Sequence, residues 1–254
     1  MSPTVAACQM DVADLHVEAN LATVEARTRD LPDEVAVALF PEHALTGFVG
    51  DERIAEAAIP RDGDPIDRLR DLASAEATAL LVGFTERADT GLYNATAYVD
   101  PDGAVTYYRK RHLWGSEREL LDAGDDRVTV ETPVGTTGIL TCYDLNFVAE
   151  SAAFTEERVD ALFVAAAWPG AYSENWTLLV RARALDGVRW VVGASRTGRR
   201  DVPDAPAVAY AGRSIAARPD GGTHASLDRR ADDLVVDLDP EAVDAQRELI
   251  GVFR

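Results

Sequence analysis

The sequence predicts an α/β protein, a single domain across residues 1–254, with sheets buried beneath helices. Three observations carry that expectation. Short, near-continuous apolar runs alternate with segments of helical period, the pattern of strands covered on both faces. Turn signals between other apolar runs mark hairpins, so helical crossovers and antiparallel pairs occur in one chain. No shift of composition and no linker separates the elements.

Residues 4–10 (TVAACQM) predict a first buried strand, and residues 16–31 a helix with Val17, Leu21 and Val24 on one face. Residues 35–40 (VAVALF) predict a second strand, 66–77 a helix and 79–84 (ALLVGF) a third strand. Strands at 92–99 and 104–109 flank Asp100-Pro101-Asp102-Gly103, a turn in which Gly103 can supply positive φ. Strands at 127–131 and 136–141 flank Thr132-Pro133-Val134-Gly135. A helix at 147–157, a strand at 161–166, a helix at 174–186 ended by Gly187 and a strand at 190–195 follow. Strands at 213–217 and 234–238 and a final helix opened by Pro240 complete the pattern. Residues 197–210 (TGRRDVPDAPAVAY) are the least structured stretch, long enough to suggest a functional loop.

Charge narrows the function. Against 44 Asp and Glu stand 25 Lys and Arg, a formal charge of −19. A field of that sign argues against nucleic acid and anionic membrane surfaces, which need positive charge. At 47% hydrophobic residues the chain is no solvated acidic tail. Such dense carboxylates suit a surface kept hydrated in high salt, where repulsion is screened. Cys8 and Cys142 make no disulfide framework, no leader pattern opens the chain, and no apolar run approaches a membrane span. The expectation is a cytoplasmic, reducing setting with both thiols free.

Three positions could carry chemistry. Lys110 is the one lysine beside 24 arginines. It is either an exposed survivor or a place that needs a compact ammonium, which a guanidinium does not replace. Cys142 ends an apolar strand just before a helix, near amides that favour a thiolate. Burial is the ordinary fate of such a residue, and Cys8, mid-strand, reads as core. Glu42 follows the end of the second strand, where open α/β sheets place ligands, though acids abound here. The four histidines lack metal-ligand spacing with the cysteines; a Cys–His pair using His43 or His112 stays open but is not singled out. Nucleophile-elbow, phosphate-loop and dinucleotide motifs are missing, so no cofactor is indicated.

The segments FPEHALTGF (40–48), YRKRHLW (108–114) and GILTCYDLNF (138–147), in this order and spacing, resemble the nitrilase superfamily of carbon–nitrogen hydrolases. Asn94 and the Asp100–Gly103 turn resemble the family's hairpin; residues 165–169 (AAAWP), 181–185 (RARAL) and 212–214 (GRS) resemble later family segments. The resemblance implies a four-layer α-β-β-α sandwich, assembled through its outer helices at least as a homodimer. It puts the family's Glu–Lys–Cys triad on Glu42, Lys110 and Cys142, and a further active-site acid on Glu117, with Glu119 as competitor. The Tyr143 N–H would join Lys110 in holding an oxyanion. Trp168 and Tyr172 line the pocket or pack the core. Cys142-Tyr143-Asp144 looks like the amidase and carbamoylase branches rather than the nitrilases' Cys-Trp-Glu. The Arg-Phe-Pro-Glu run frequent in the family is replaced by Asn146-Phe147-Val148-Ala149-Glu150; Arg196, Arg199 and Arg200 could instead bind a substrate carboxylate, or they balance nearby acids on a solvated loop. The expected activity is hydrolysis of a small non-peptide amide to acid and ammonia. The alternatives are an N-carbamoyl hydrolase and a non-catalytic binding or assembly member.

Overall fold

Two six-stranded sheets lie face to face in the computed structural model, which describes residues 2–251. The first half runs β1 (Thr4–Gln9), α1 (Val17–Asp30), β2 (Val35–Leu39), α2 (Ile54–Ala57), α3 (Asp64–Glu76), β3 (Ala79–Ala88), β4 (Gly91–Val99), β5 (Val105–Arg109) and α4 (Glu117–Leu120). Then come β6 (Thr129–Thr132), β7 (Gly135–Thr141), a 3-10 turn (Cys142–Asn146), α5 (Val148–Glu156), β8 (Ala161–Ala166), α6 (Ser173–Gly187) and β9 (Trp190–Ser195). The last elements are β10 (Arg199–Arg200), β11 (Val208–Ala209), β12 (Ile215–Ala217), β13 (Thr223–Ser226), β14 (Asp232–Asp237) and α7 (Pro240–Ile250).

The sheets share a plan. One has the order β14-β1-β2-β3-β4-β5 and the other β13-β12-β9-β8-β7-β6. In each, three parallel strands (β1–β3, β7–β9) sit inside antiparallel neighbours. Alternation along these strands builds the layers. Val5, Ala7, Val37 and Leu39 meet Phe163, Ala165, Val192 and Ala194 between the sheets. Ala6, Cys8, Ala38 and Phe40 turn outward onto Leu21 and Val24 of α1 and Leu69 and Leu72 of α3. Leu162 and Val164 do the same toward Phe154 of α5 and Trp176 and Val180 of α6. Each fully buried large apolar side chain contributes about 1.5–3 kcal/mol. The result is the α-β-β-α sandwich, and no helix among the described residues is long and apolar enough to cross a membrane.

Several expectations shift for physical reasons. β3 runs on to Ala88 and makes a long hairpin with β4, past the point where the apolar run ends. Buried Glu86 sustains it, neutralised by Arg61 and Arg109 at 2.7 Å each. The helix expected from residue 147 is preceded by a 3-10 turn that begins at Cys142 itself. Gly187 does end its helix, but the left-handed residue is Val188, at φ 48°. Glycine is needed at 187 for space: a Cβ there would lie 2.1 Å from Cζ of Arg189. The loop at 197–210 contains a small ribbon, β10 paired with β11, and β13 adds an edge strand that the sequence pattern does not announce.

Candidate active site

Two short segments leave the carboxyl ends of parallel strands and face each other. After β2, Phe40 N–H donates to Leu81 O at 2.7 Å, and Leu45 N–H donates to Gly83 O at 3.1 Å, so the segment after β2 folds back over β3. The fit is tight at Gly83, where a Cβ would sit 2.5 Å from Pro41 O and 2.7 Å from Glu42 Cα. That glycine is what lets Glu42 approach the sheet. After β7, Cys142 takes φ 47° as the first residue of the 3-10 turn, a left-handed conformation costing about 1–2 kcal/mol in a residue with a Cβ. Asp144 holds it: Oδ2 accepts from Thr141 N–H at 3.0 Å and from Tyr108 Oη at 2.7 Å, and Oδ1 from His112 N–H at 3.0 Å. The turn that carries the thiol is thereby tied to the strand that leads to Lys110.

Lys110 Nζ donates to Glu42 Oε1 and to Glu117 Oε2, both at 2.7 Å. Asn94 Nδ2 bridges the same two carboxylates, at 2.8 Å to Glu42 Oε1 and 2.6 Å to Glu117 Oε1. Glu42 Oε2 accepts from Ala167 N–H at 2.8 Å, a bond that crosses from one sheet to the other. Glu117 Oε2 also accepts from Trp114 N–H at 2.7 Å, and His43 Nε2 stands 3.6 Å from Glu117 Oε1. Glu42, Asn94, Lys110, Glu117 and Cys142 are all buried.

Burial alone would lower Lys110, but the carboxylates of Glu117 and Glu42 more than offset it and hold the ammonium well above its usual range. Burial would likewise raise Glu117, yet Lys110 and then His43 hold its carboxyl well below the ordinary range. The Cys142 thiol is pushed up by burial and by the Glu42 carboxylate beside it, and Lys110 only partly opposes this. Cys142 therefore rests as a thiol, and chemistry at its sulfur would need a base to take the proton. Glu42, His43 and Glu117 bring ligand atoms within 4.8 Å of one another, spacing that a metal ion could use. Lys110 already binds both carboxylates, and one ammonium supplies the positive charge there.

These groups open on a cavity of about 270 Å³. Tyr143 and Trp168 line it, as do Tyr172 and Trp114 near its mouth. Trp168 serves both expectations, since it also packs on Trp176 with ring centroids 5.6 Å apart. Glu117 and Glu119 part company: two residues apart on the one turn of α4, the first is buried against Lys110 and the second is exposed. His112 stacks on Phe147 and binds Asp144, so it makes no pair with the thiol. His43 sits in the pocket wall but faces Glu117. Of the loop arginines, Arg196 is spent on Asp14, Arg199 is exposed, and only Arg200 lines the cavity. Sequence reasoning missed Asn94 as a bridge and Ala167 as a donor. The first lies in a hairpin whose resemblance to the family gave no role to its side chain; the second acts through its backbone and has no side-chain signature.

A four-layer sandwich that gathers a thiol, an ammonium and two carboxylates at its strand ends has the form of a carbon–nitrogen hydrolase. The model of the family described as Carbon-nitrogen hydrolase matches residues 4–248, and the chain belongs to that family, on the amidase-like side of the nitrilase superfamily. It is a hydrolase of carbon–nitrogen bonds. The chain is 31% identical over 209 residues to an (R)-stereoselective amidase from Pseudomonas sp, covering 82% of this chain and 75% of that protein. The structure of a CN-hydrolase superfamily protein from Xanthomonas campestris, with an arsenic adduct in its active site, superposes with a TM-score of 0.89. It is 24% identical and covers 99% of this chain and 96% of its own. A glutamate-to-glutamine mutant of the amidase from Nesterenkonia sp. AN1, carrying the acetamide moiety of fluoroacetamide on its active-site cysteine, superposes with a TM-score of 0.84. Its identity is 21%, over 100% of this chain and 97% of its own.

Proposed function

We propose that the chain hydrolyses a small non-peptide amide to a carboxylic acid and ammonia through a thioester on Cys142. Glu42 takes the thiol proton as the sulfur attacks the amide carbon. The oxyanion that forms is held by Lys110 and by the N–H of Tyr143, in the first turn of the 3-10 helix where amides lack an intrahelical acceptor. Glu42 passes its proton to the leaving nitrogen, and ammonia departs. Water then attacks the thioester, giving up a proton to Glu42, and release of the acid returns that proton to the thiol. Glu117 and Asn94 hold Lys110 and Glu42 in register throughout.

One observation carries the reading. An ammonium has three N–H donors, and Lys110 spends two on Glu42 and Glu117, which leaves one beside the thiol for the developing oxyanion. The Pseudomonas amidase, and the Nesterenkonia amidase whose active-site cysteine takes up the acetamide moiety of fluoroacetamide, support the amide class and the nucleophile. The test is ammonia release from a panel of amides, carbamoyl compounds and nitriles, with Cys142→Ala as control. Release by the wild type that the variant abolishes is expected; equal release from both would sink the thiol mechanism. Carbon dioxide released with the ammonia would reassign the chain to the carbamoyl hydrolases.

A further inference from the structure

Glu42 and His43 are neighbours in the chain, yet both line the cavity. In extended backbone successive side chains point to opposite faces. His43 breaks that alternation with a left-handed φ of 54°, a region in which histidine is enriched among residues with a Cβ. The turn leaves the imidazole buried and stacked on Phe48, with ring centroids 4.9 Å apart. It takes no step in the hydrolysis described above.

Hydrogen-bond accounting gives the ring a direction. A carboxylate offers about four lone-pair sites. Glu117 Oε2 accepts from Lys110 Nζ and from Trp114 N–H, and Oε1 accepts from Asn94 Nδ2. The remaining site is on Oε1. His43 Nε2, buried and without a hydrogen-bond partner among the described residues, stands 3.6 Å from that oxygen. The other ring nitrogen, Nδ1, lies 3.1 Å from Thr85 Oγ1. Thr46 Oγ1 donates to Gly47 O at 2.9 Å and accepts from Thr85 N–H at 3.0 Å, which leaves the Thr85 hydroxyl hydrogen for Nδ1. The tautomer assigned by that network carries its hydrogen on Nε2, facing Glu117. Glu42, Lys110 and Cys142 are the other charged or titratable groups around this contact, while Phe48, Thr46 and Thr85 on the far side of the ring are neutral.

At 3.6 Å the contact is longer than a hydrogen bond. Such contacts in active sites often tighten only when substrate reacts. The proposed chemistry supplies a reason here. At rest Lys110 binds both carboxylates. As negative charge grows on the substrate oxygen, the ammonium is drawn toward it and its hold on Glu117 weakens.

We propose that His43 is a positioning residue whose Nε2–H closes on Glu117 Oε1 as Lys110 turns to the oxyanion, keeping Glu117 ionised and in place. The inference rests on the amidase reading above. Its test compares kcat and KM across pH in His43→Leu and His43→Gln, for an amide that the wild type hydrolyses. Both variants bear the same left-handed backbone, and only Gln places an N–H as many bonds from the backbone as Nε2. In His43→Leu kcat is expected to fall about tenfold, the worth of one hydrogen bond to a charged group. KM should stay within about twofold, because the contact forms in the transition state. The acid limb of the kcat profile should move up by about one pH unit, since a carboxylate without its donor holds a proton more tightly. His43→Gln should recover most of both effects. Equal losses in the two folded variants, or an unmoved acid limb in His43→Leu, would overturn this inference and leave the amidase reading standing. No ammonia from the wild type with any amide would overturn that reading and this inference with it. Should the variants fail to fold, nitrogen NMR of the wild-type imidazole decides: hydrogen on Nε2 is expected, and hydrogen on Nδ1 alone would sink the proposal.

Discussion

The two sheets share a plan but bring different groups to the cavity. The first delivers the charged and polar groups that bind one another there: Glu42 after β2, Asn94 in β4 and Lys110 after β5. The second delivers Cys142 after β7 and the Ala167 N–H after β8, which reaches across to Glu42. Neither sheet alone holds both the thiol and the base proposed for it. The site comes from face-to-face packing that brings the ends of β2 and β8 within one hydrogen bond. The two cysteines make the same point. Both thiols are free and buried, and burial raises the pKa of each. Cys8 sits mid-strand against α1, whereas Cys142 stands at a strand end on the cavity wall. Burial and proton affinity do not mark the reactive thiol; the strand end and its neighbours do.

The comparison can be broken most sharply from the first sheet. Lys110→Arg keeps the charge but replaces a compact donor with a planar fork in a filled space, and kcat should fall roughly 100- to 1000-fold. A thermal melt should show the fold retained, and wild-type activity in this variant would remove Lys110 from the proposed chemistry. Asn94→Ala removes the bridge between the carboxylates, which keep Lys110; a lost hydrogen bond to a charged group costs about 1.5–3 kcal/mol, so kcat should drop about 10- to 100-fold and its pH profile should shift. An unchanged profile would mean that Lys110 alone sets the geometry. On the second sheet, iodoacetamide should label Cys142 before Cys8, since only Cys142 lines the cavity, and mass spectrometry of the alkylated peptides reads the order.

The smallest effect is on stability in acid. The Glu117 carboxyl is depressed in the folded state, so its contribution is complete above the ordinary carboxylate value of about 4.3 and is lost as pH falls through its lower folded value. Glu117→Gln should therefore flatten the loss of stability below about pH 4.3 in denaturant melts taken at several pH values. An unaltered slope would show that Glu117 does not link the site to folding. Lys110, raised in the fold, contributes in the opposite sense. Its share is complete below the usual lysine value of about 10.4 and disappears as pH rises through the higher folded one.

Much of the fold and of the site is legible in the chain because strand runs and motifs are local. The apolar runs at 35–40 and 161–166 form strands covered on both faces, as their near-continuous apolar pattern requires. Lys110 stands out as the one lysine among arginines, and Cys142 by its place at the end of an apolar run. Where polarity is buried, local reading fails: β3 continues through Glu86 only because Arg61 and Arg109, distant in sequence, neutralise it.

Which elements form, and which residue types stand at their ends, follow from the amino-acid order, because periodicity and turn chemistry act over a few residues. Packing settles which of those ends meet. Glu117 rather than Glu119 faces Lys110, Gly83 makes room for Glu42, and Ala167 N–H crosses between the sheets. Among three neighbouring arginines only Arg200 reaches the cavity. Such choices depend on distances between segments far apart in the chain, which packing sets and local composition does not encode.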